Sequence, residues 1–219
     1  DLMMDCDDDG SLLPERRNTA TGRGMVLSDF VNHDDARDAG LKAANVAALR
    51  LYTSPAYKSI NEPLRDKQRF SDGRPHPLAV TVAILSNATK KLRSISATRP
   101  QANESRPLYR GMSDVIIPDE FVANGGTELA PMSATFDLDT AVNFATGGQL
   151  ATVMRIHNTN WTSRGADVRF LSCFPAEEES LFPPLTYMEC RPDADAAPPV
   201  TTASGVVFSV IDIEAKQLA

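Results

Sequence analysis

Residues 25–64 carry apolar positions at helical spacing, clearest in the Ala-rich run through Ala43, Val46, Ala47, Leu49 and Leu51. Ser28 or Asp34 supplies the expected N-cap, and Ser54-Pro55 ends one helix and starts the next. Gly73-Arg74-Pro75 with Pro77 reads as a loop. A further helix is predicted over 78–92, with Val82, Leu85 and Leu92 among its core residues. After Pro107 the pattern changes to short β-like runs at 107–111, 129–136, 150–156, 168–171, 185–190 and 206–213. One helix interrupts them near 138–144, capped by Asp137 or Asp139, and residues 192–205 form a Pro/Ala/Thr-rich loop. Helices first and strands second predict an α+β domain over residues 26–219, with no internal repeat or linker.

Residues 1–25 are polar and read as an acidic, flexible lead-in. Asp5, Asp7 and Asp9 followed by Gly10 have the oxygen-ligand spacing that opens an EF-hand calcium loop. The twelfth loop position is Arg16 instead of a bidentate Glu, Glu15 falls one place early, and the incoming helix is reduced to Leu2-Met3-Met4. An acidic linker is therefore favoured over a degenerate EF-hand remnant, with Asp5, Asp7 and Asp9 as the calcium candidates.

Composition narrows the function classes. A length of 219 residues with 42% hydrophobic and 23% charged residues suits one medium globular domain. The net charge of −7 argues against nucleic acid as a partner, and Lys90, Lys91, Arg93 and Arg99 read as the solvated face and end of a helix. No apolar run approaches the ~20 residues that span a bilayer. The chain opens on DLMMDCDDDG, acidic where a secretory signal is basic and without an initiator Met. A domain of a larger protein is expected, acting as a monomer at an intracellular site, with a secreted effector as the alternative. Three cysteines and three scattered histidines offer no zinc-ligand spacing.

The chemistry-bearing residues lie far apart in sequence. In an extended conformation Glu177 and Glu179 share one face and Glu178 takes the other. A carboxylate can stabilise the oxocarbenium-like sugar left when nicotinamide departs from a nucleotide, and a second can orient or deprotonate the incoming nucleophile. Taken alone, the triplet would be an acidic turn. Upstream stand Met132-Ser133-Ala134-Thr135-Phe136 and Leu108-Tyr109-Arg110-Gly111. An Arg beside Gly at a strand end suits a pyrophosphate, offering guanidinium donors and an unobstructed backbone.

The order Arg110, Ser133-x-Thr135, Glu177-x-Glu179 resembles the R-S-E signature of the ADP-ribosyltransferase superfamily, in the branch of vertebrate-type arginine transferases and many bacterial toxins. The run Glu-Glu-Glu-Ser-Leu-Phe-Pro-Pro is similar to the E-E-E-V-L-x-P-P of arginine-specific members. Leu51-Tyr52-Thr53, Tyr57, Ile60-Asn61 and Leu64-Arg65 resemble the helical stretch that precedes their NAD cleft. The likeness spans residues 45–214. It implies N-terminal helices packed on two antiparallel-rich sheets that form an NAD cleft. NAD would be the co-substrate with no metal required, and ADP-ribose would pass, with inversion, to an arginine of a target protein.

The resemblance also implies roles. Arg110 would hold the NAD phosphates or nicotinamide ribose, and Gly111 would offer its backbone to the nicotinamide amide. Ser133 would position the catalytic Glu179, which holds the ribose hydroxyl and stabilises the cation. Thr135 stands where Ser is usual and keeps the hydroxyl, whereas Ala134 replaces the usual Thr. Phe144 matches an aromatic that packs on nicotinamide, with a core Phe as the competing reading. Glu177 would select arginine, and Phe174 would take part in substrate recognition. Alternatives are an NAD glycohydrolase, a transferase to another acceptor, and an inactive NAD-fold binding module.

Overall fold

The helical half breaks into short pieces because caps and prolines interrupt it. The computed structural model describes residues 5–6, 10–96, 106–148, 150–159, 163–191, 200–201 and 207–216. Helices α1 (Leu27–Val31), α2 (Asp34–Asp38), α3 (Ala43–Tyr52), α4 (Tyr57–Arg65) and α5 (Lys67–Ser71) precede the longer α6 (Ala79–Ser96). The expected caps Ser28 and Asp34 lie inside first turns instead. His33 Nδ1 accepts the Asp35 amide ahead of α2, and the Asp29 carboxylate accepts the Val26 amide ahead of α1. The Ala-rich run forms α3, which buries Val46, Leu49 and Tyr52. Helix α6 extends past the predicted 78–92 and buries Leu85, Ala88 and Leu92 against α3. This core also takes in Ala166, Val168, Leu171 and Leu181, so the helices are seated against one end of the sheet.

The strands are β1 (Leu108–Ser113), β2 (Gly126–Glu128), β3 (Met132–Thr135), β4 (Leu150–Ile156), β5 (Ala166–Asp167), β6 (Glu179–Phe182), β7 (Thr186–Cys190), β8 (Val200–Thr201) and β9 (Val207–Lys216). They follow one hydrogen-bonded path, β2-β7-β9-β4-β1-β3-β6-β5, with β8 on β9. The two sheets expected from the sequence are thus joined, but only just. Strand β1 pairs with β4 from Leu108↔Ile156 to Ser113↔Ala151, yet it meets β3 at the single pair Tyr109↔Thr135. Past Tyr109 the β3-side edge of β1 has no strand partner among the described residues. Arg110 and Gly111 follow Tyr109 along that edge.

Helix α7 (Asp119–Asn124) packs on β7, and α8 (Leu138–Ala145) covers β1 and β4. Asp137 caps α8 by accepting the Asp139 and Thr140 amides, which decides between the two predicted caps. The approach of α8 to β1 depends on Gly111. A Cβ there would lie 1.7 Å from the Ala141 carbonyl oxygen, so any side chain forces the helix away. Gly111→Ala is expected to cost about 3 kcal/mol or more, lowering Tm by roughly 6–12 °C in thermal unfolding. An unchanged Tm would mean that α8 is free to lift from β1.

Two sequence expectations change here. The predicted strand at 168–171 is a turn, with the Leu171 and Ser172 amides both bonded to the Val168 carbonyl. The lead-in is also not loose throughout. Arg16 is buried against residues 169–172, and Cys6–Leu12 and Arg17–Gly24 form isolated bridges. Of the calcium candidates, Asp5 is engaged by Arg50 at 2.9 Å, whereas Asp7 and Asp9 lie outside the described residues. Arg99 and most of the 192–205 loop lie outside them as well. No helix among the described residues is long and apolar enough to cross a membrane.

Candidate active site

Strand pairing brings the three distant motifs together. Ser133 and Thr135 on β3 lie beside β6, in the register Ser133↔Leu181 and Thr135↔Glu179. The Ser133 hydroxyl donates to Glu179 Oε1 at 2.6 Å. Arg110, half-buried on β1, reaches β3, where its Nη1 donates to the Ser133 carbonyl at 2.8 Å. Among the described residues no carboxylate lies within ion-pair distance of Arg110. Burial pushes its pKa down, opposed by Tyr52 and Glu128.

Glu179 is 8% exposed. Burial raises its pKa, opposed by hydrogen bonds from Ser133 and Ser172. The Ser172 hydroxyl donates to Oε2 at 3.3 Å, so each carboxylate oxygen has its own serine. Ser172 was missed in the sequence because nothing in its spacing marks it. It lies seven residues before Glu179 and is brought back by the turn between them.

That turn corrects the picture of an extended triplet. Pro175–Glu177 form a 3-10 turn, Glu178 is left-handed at φ 46°, and only Glu179 enters β6. A left-handed non-Gly residue is uncommon, and strain of this kind clusters at functional sites. Glu177, at the end of the 3-10 turn, is half-buried and close enough to Glu179 for the two carboxylates to interact. Burial, with the Glu179 charge added, pushes the Glu177 carboxyl up to about 7. Glu178 turns aside to Arg169 at 3.7 Å. Phe174, 40% exposed, leads into the turn.

The helical motif upstream is scaffolding for these groups. Tyr52 donates its hydroxyl to the Pro131 carbonyl at 2.9 Å, and Asn61 donates to Tyr52 and to the same carbonyl. These bonds tie α3 and α4 to the segment entering β3. The Thr53 hydroxyl accepts the Cys173 amide, and Arg65 forks onto Glu128 with two bonds of 3.0 Å. Of the other predicted contacts, Thr135 is buried and its hydroxyl accepts the Asp137 amide, so it shapes the turn into α8. Phe144 is 56% exposed on α8, which overturns the core reading and leaves its ring free. Among the described residues no three His, Cys, Asp or Glu side chains converge as a metal-binding group.

Residues 28–191 match the family model described as ART, NAD:arginine ADP-ribosyltransferase. Comparison with curated proteins gives no match. Among solved structures, the chain is similar to the ADP-ribosyltransferase HopU1 of Pseudomonas syringae pv. Tomato DC3000, at 21% identity over 85% of each chain and a TM-score of 0.58. It is similar to exoenzyme S of Pseudomonas aeruginosa, bound to Carba-NAD and human 14-3-3 protein beta, at 22% identity over 85% of this chain and 86% of that one, with a TM-score of 0.52. A eukaryotic mono-ADP-ribosyltransferase, ART2.2, solved in complex with NADH, aligns at 18% identity over 88% of this chain and 75% of that one, with a TM-score of 0.59. At these identities the structural likeness speaks to the fold alone, while the family match covers well over half of the sequence. The chain belongs to the NAD:arginine ADP-ribosyltransferase family, whose members transfer ADP-ribose from NAD.

Proposed function

We propose that this protein transfers ADP-ribose from NAD to the guanidinium of an arginine on a target protein. The observation that carries the acceptor assignment is Glu177, half-buried at the end of the 3-10 turn beside Glu179, with its carboxyl pushed up to about 7 by burial and the Glu179 charge. NAD lies in the cleft between β1 and β3, with Arg110 on its phosphates or nicotinamide ribose. The Gly111 backbone meets the nicotinamide amide and the Phe144 ring packs on the nicotinamide. The C1′–N bond to nicotinamide breaks, and its electron pair passes to the ring nitrogen, neutralising the pyridinium. Glu179, oriented by Ser133 and Ser172, holds the ribose hydroxyl and stabilises the oxocarbenium left behind.

An arginine guanidinium is protonated at neutral pH and a poor nucleophile. Glu177 as carboxylate orients it and accepts the proton lost as its nitrogen bonds C1′ from the face opposite nicotinamide. Phe174, exposed beside the turn, contacts the segment that bears the acceptor. The test uses agmatine, a small guanidine, against an aliphatic amine of similar length, with labelled NAD. Label on agmatine and none on the amine is expected. Nicotinamide release with no labelled agmatine would assign the site to hydrolysis or to another acceptor.

A further inference from the structure

Arg16 lies outside the family match at residues 28–191, yet it is bonded into the reaction centre's support. Its side chain is 3% exposed. Nη1 donates to the Phe170 carbonyl at 2.9 Å, and Nη2 donates to the carbonyls of Arg169 at 2.8 Å and Ser172 at 2.7 Å. Arg50 on α3 donates to the carbonyl between them, Leu171, at 3.0 Å. Two guanidinium groups therefore take four consecutive carbonyls, those of residues 169–172. Asp5 joins the pair, 2.9 Å from Arg50 Nη2 and 3.4 Å from Arg16 Nε, and the Phe30 ring lies against both.

This arrangement explains why residues 168–171 turn instead of forming a strand. A turn leaves carbonyls without ladder partners, and buried ones must be satisfied. Burying a guanidinium is costly unless its donors are used, and here three of them reach carbonyls. The held segment leads directly to the chemistry. The Ser172 hydroxyl accepts the Phe174 amide at 3.1 Å and donates to Glu179 Oε2 at 3.3 Å.

We propose that Arg16 is a positioning residue for ADP-ribose transfer, supplied by the segment ahead of the family match. By fixing the 169–172 backbone it sets Ser172 against Glu179 and presents the Phe174–Glu177 turn to the acceptor. The proposal rests on the reading of Glu179 as the catalytic carboxylate. It separates Arg16 from a residue that merely adds stability, because its effect must travel through Ser172.

The test compares Arg16→Met, Ser172→Ala and the double variant by NAD cleavage kinetics across pH, with thermal unfolding to normalise for folded protein. Arg16→Met is expected to lower kcat about ten- to a hundredfold with KM for NAD little changed, since Arg110 is untouched. Without the Ser172 bond the Glu179 carboxylate is harder to form, so the acid limb of the profile moves to higher pH. The double variant should be no worse than the more impaired single, because both act through one contact. A lower Tm with parental kcat, KM and pH profile overturns the proposal, as does full additivity. If Arg16→Met does not fold, Arg16→Lys should show an intermediate kcat and the same direction of pH shift. Parental kinetics in Arg16→Lys and Ser172→Ala would then overturn the proposal. An active Glu179→Gln would instead sink the underlying site reading, whatever Arg16 does.

Discussion

Glu179→Gln is expected to lower NAD cleavage on the order of 10³-fold, about 4 kcal/mol of transition-state stabilisation, while NAD still binds. The side chain is buried, and both its oxygens accept hydrogen bonds from serine. Gln keeps the shape and the Ser133 contact but removes the charge. That charge matters most when positive character develops on the ribose, in a site with little water to screen it. Cleavage should therefore fall much further than binding, because Arg110 and the Gly111 edge are unchanged. The folded protein should not be weakened. Burial raises the Glu179 pKa, so ionising this group costs the native state stability, a cost that an uncharged amide of the same shape lacks. Nicotinamide release, NAD titration calorimetry and thermal unfolding measure the three quantities. Cleavage within tenfold of the parent would remove Glu179 from the mechanism.

Glu177→Gln is expected to separate the two half-reactions. Transfer to agmatine should fall on the order of 10²-fold, while hydrolysis of NAD stays within about threefold of the parent. The acceptor, and not the departing nicotinamide, needs this carboxylate. The same group sets a pH dependence. Its pKa is raised to about 7 in the folded protein, so the carboxylate exists only above that value. Transfer should decline as pH falls through about 7, and the decline should be missing from Glu177→Gln. Stability follows the opposite sign. A carboxyl with a raised folded pKa favours the native state while protonated and loses that contribution as pH rises through about 7. Glu177→Gln should therefore unfold at a higher temperature than the parent at pH 8, with the advantage gone at pH 4. Equal loss of transfer and hydrolysis would instead give Glu177 a part in cleaving NAD.

Much of this was legible in the residues. Helix α3 and strand β4 form where the apolar runs predict them, but of the five positions that marked α3 only Val46 and Leu49 are buried, and β4 buries four consecutive residues instead of alternating. Arg110, Ser133 and Glu179 were picked out by order and spacing, and pairing of β1 with β3 and β3 with β6 brings them together. The failures were local. Residues 168–171 read as a strand because Val168, Phe170 and Leu171 are apolar, but that pattern does not reveal which carbonyls a remote arginine will take. Arg16 read as a defect in a calcium loop, because its partners lie more than 150 residues away.

By itself the sequence determined the fold class and the family, because these rest on the succession of helical and β-like runs and on residue types in a fixed order. The same holds for the pairing of Glu177 with Glu179, although the reason given by strand alternation was not the operative one. Only the tertiary structure decided how that pairing arises, with Glu177 closing a 3-10 turn and a left-handed Glu178 between it and β6. It alone joined the two expected sheets at Tyr109↔Thr135, gave Glu179 its second serine and turned an acidic lead-in into a clamp. Each of these depends on where a buried carbonyl or carboxylate finds a partner. Desolvation makes such partners obligatory, but their identity is fixed by proximity in space, not along the chain.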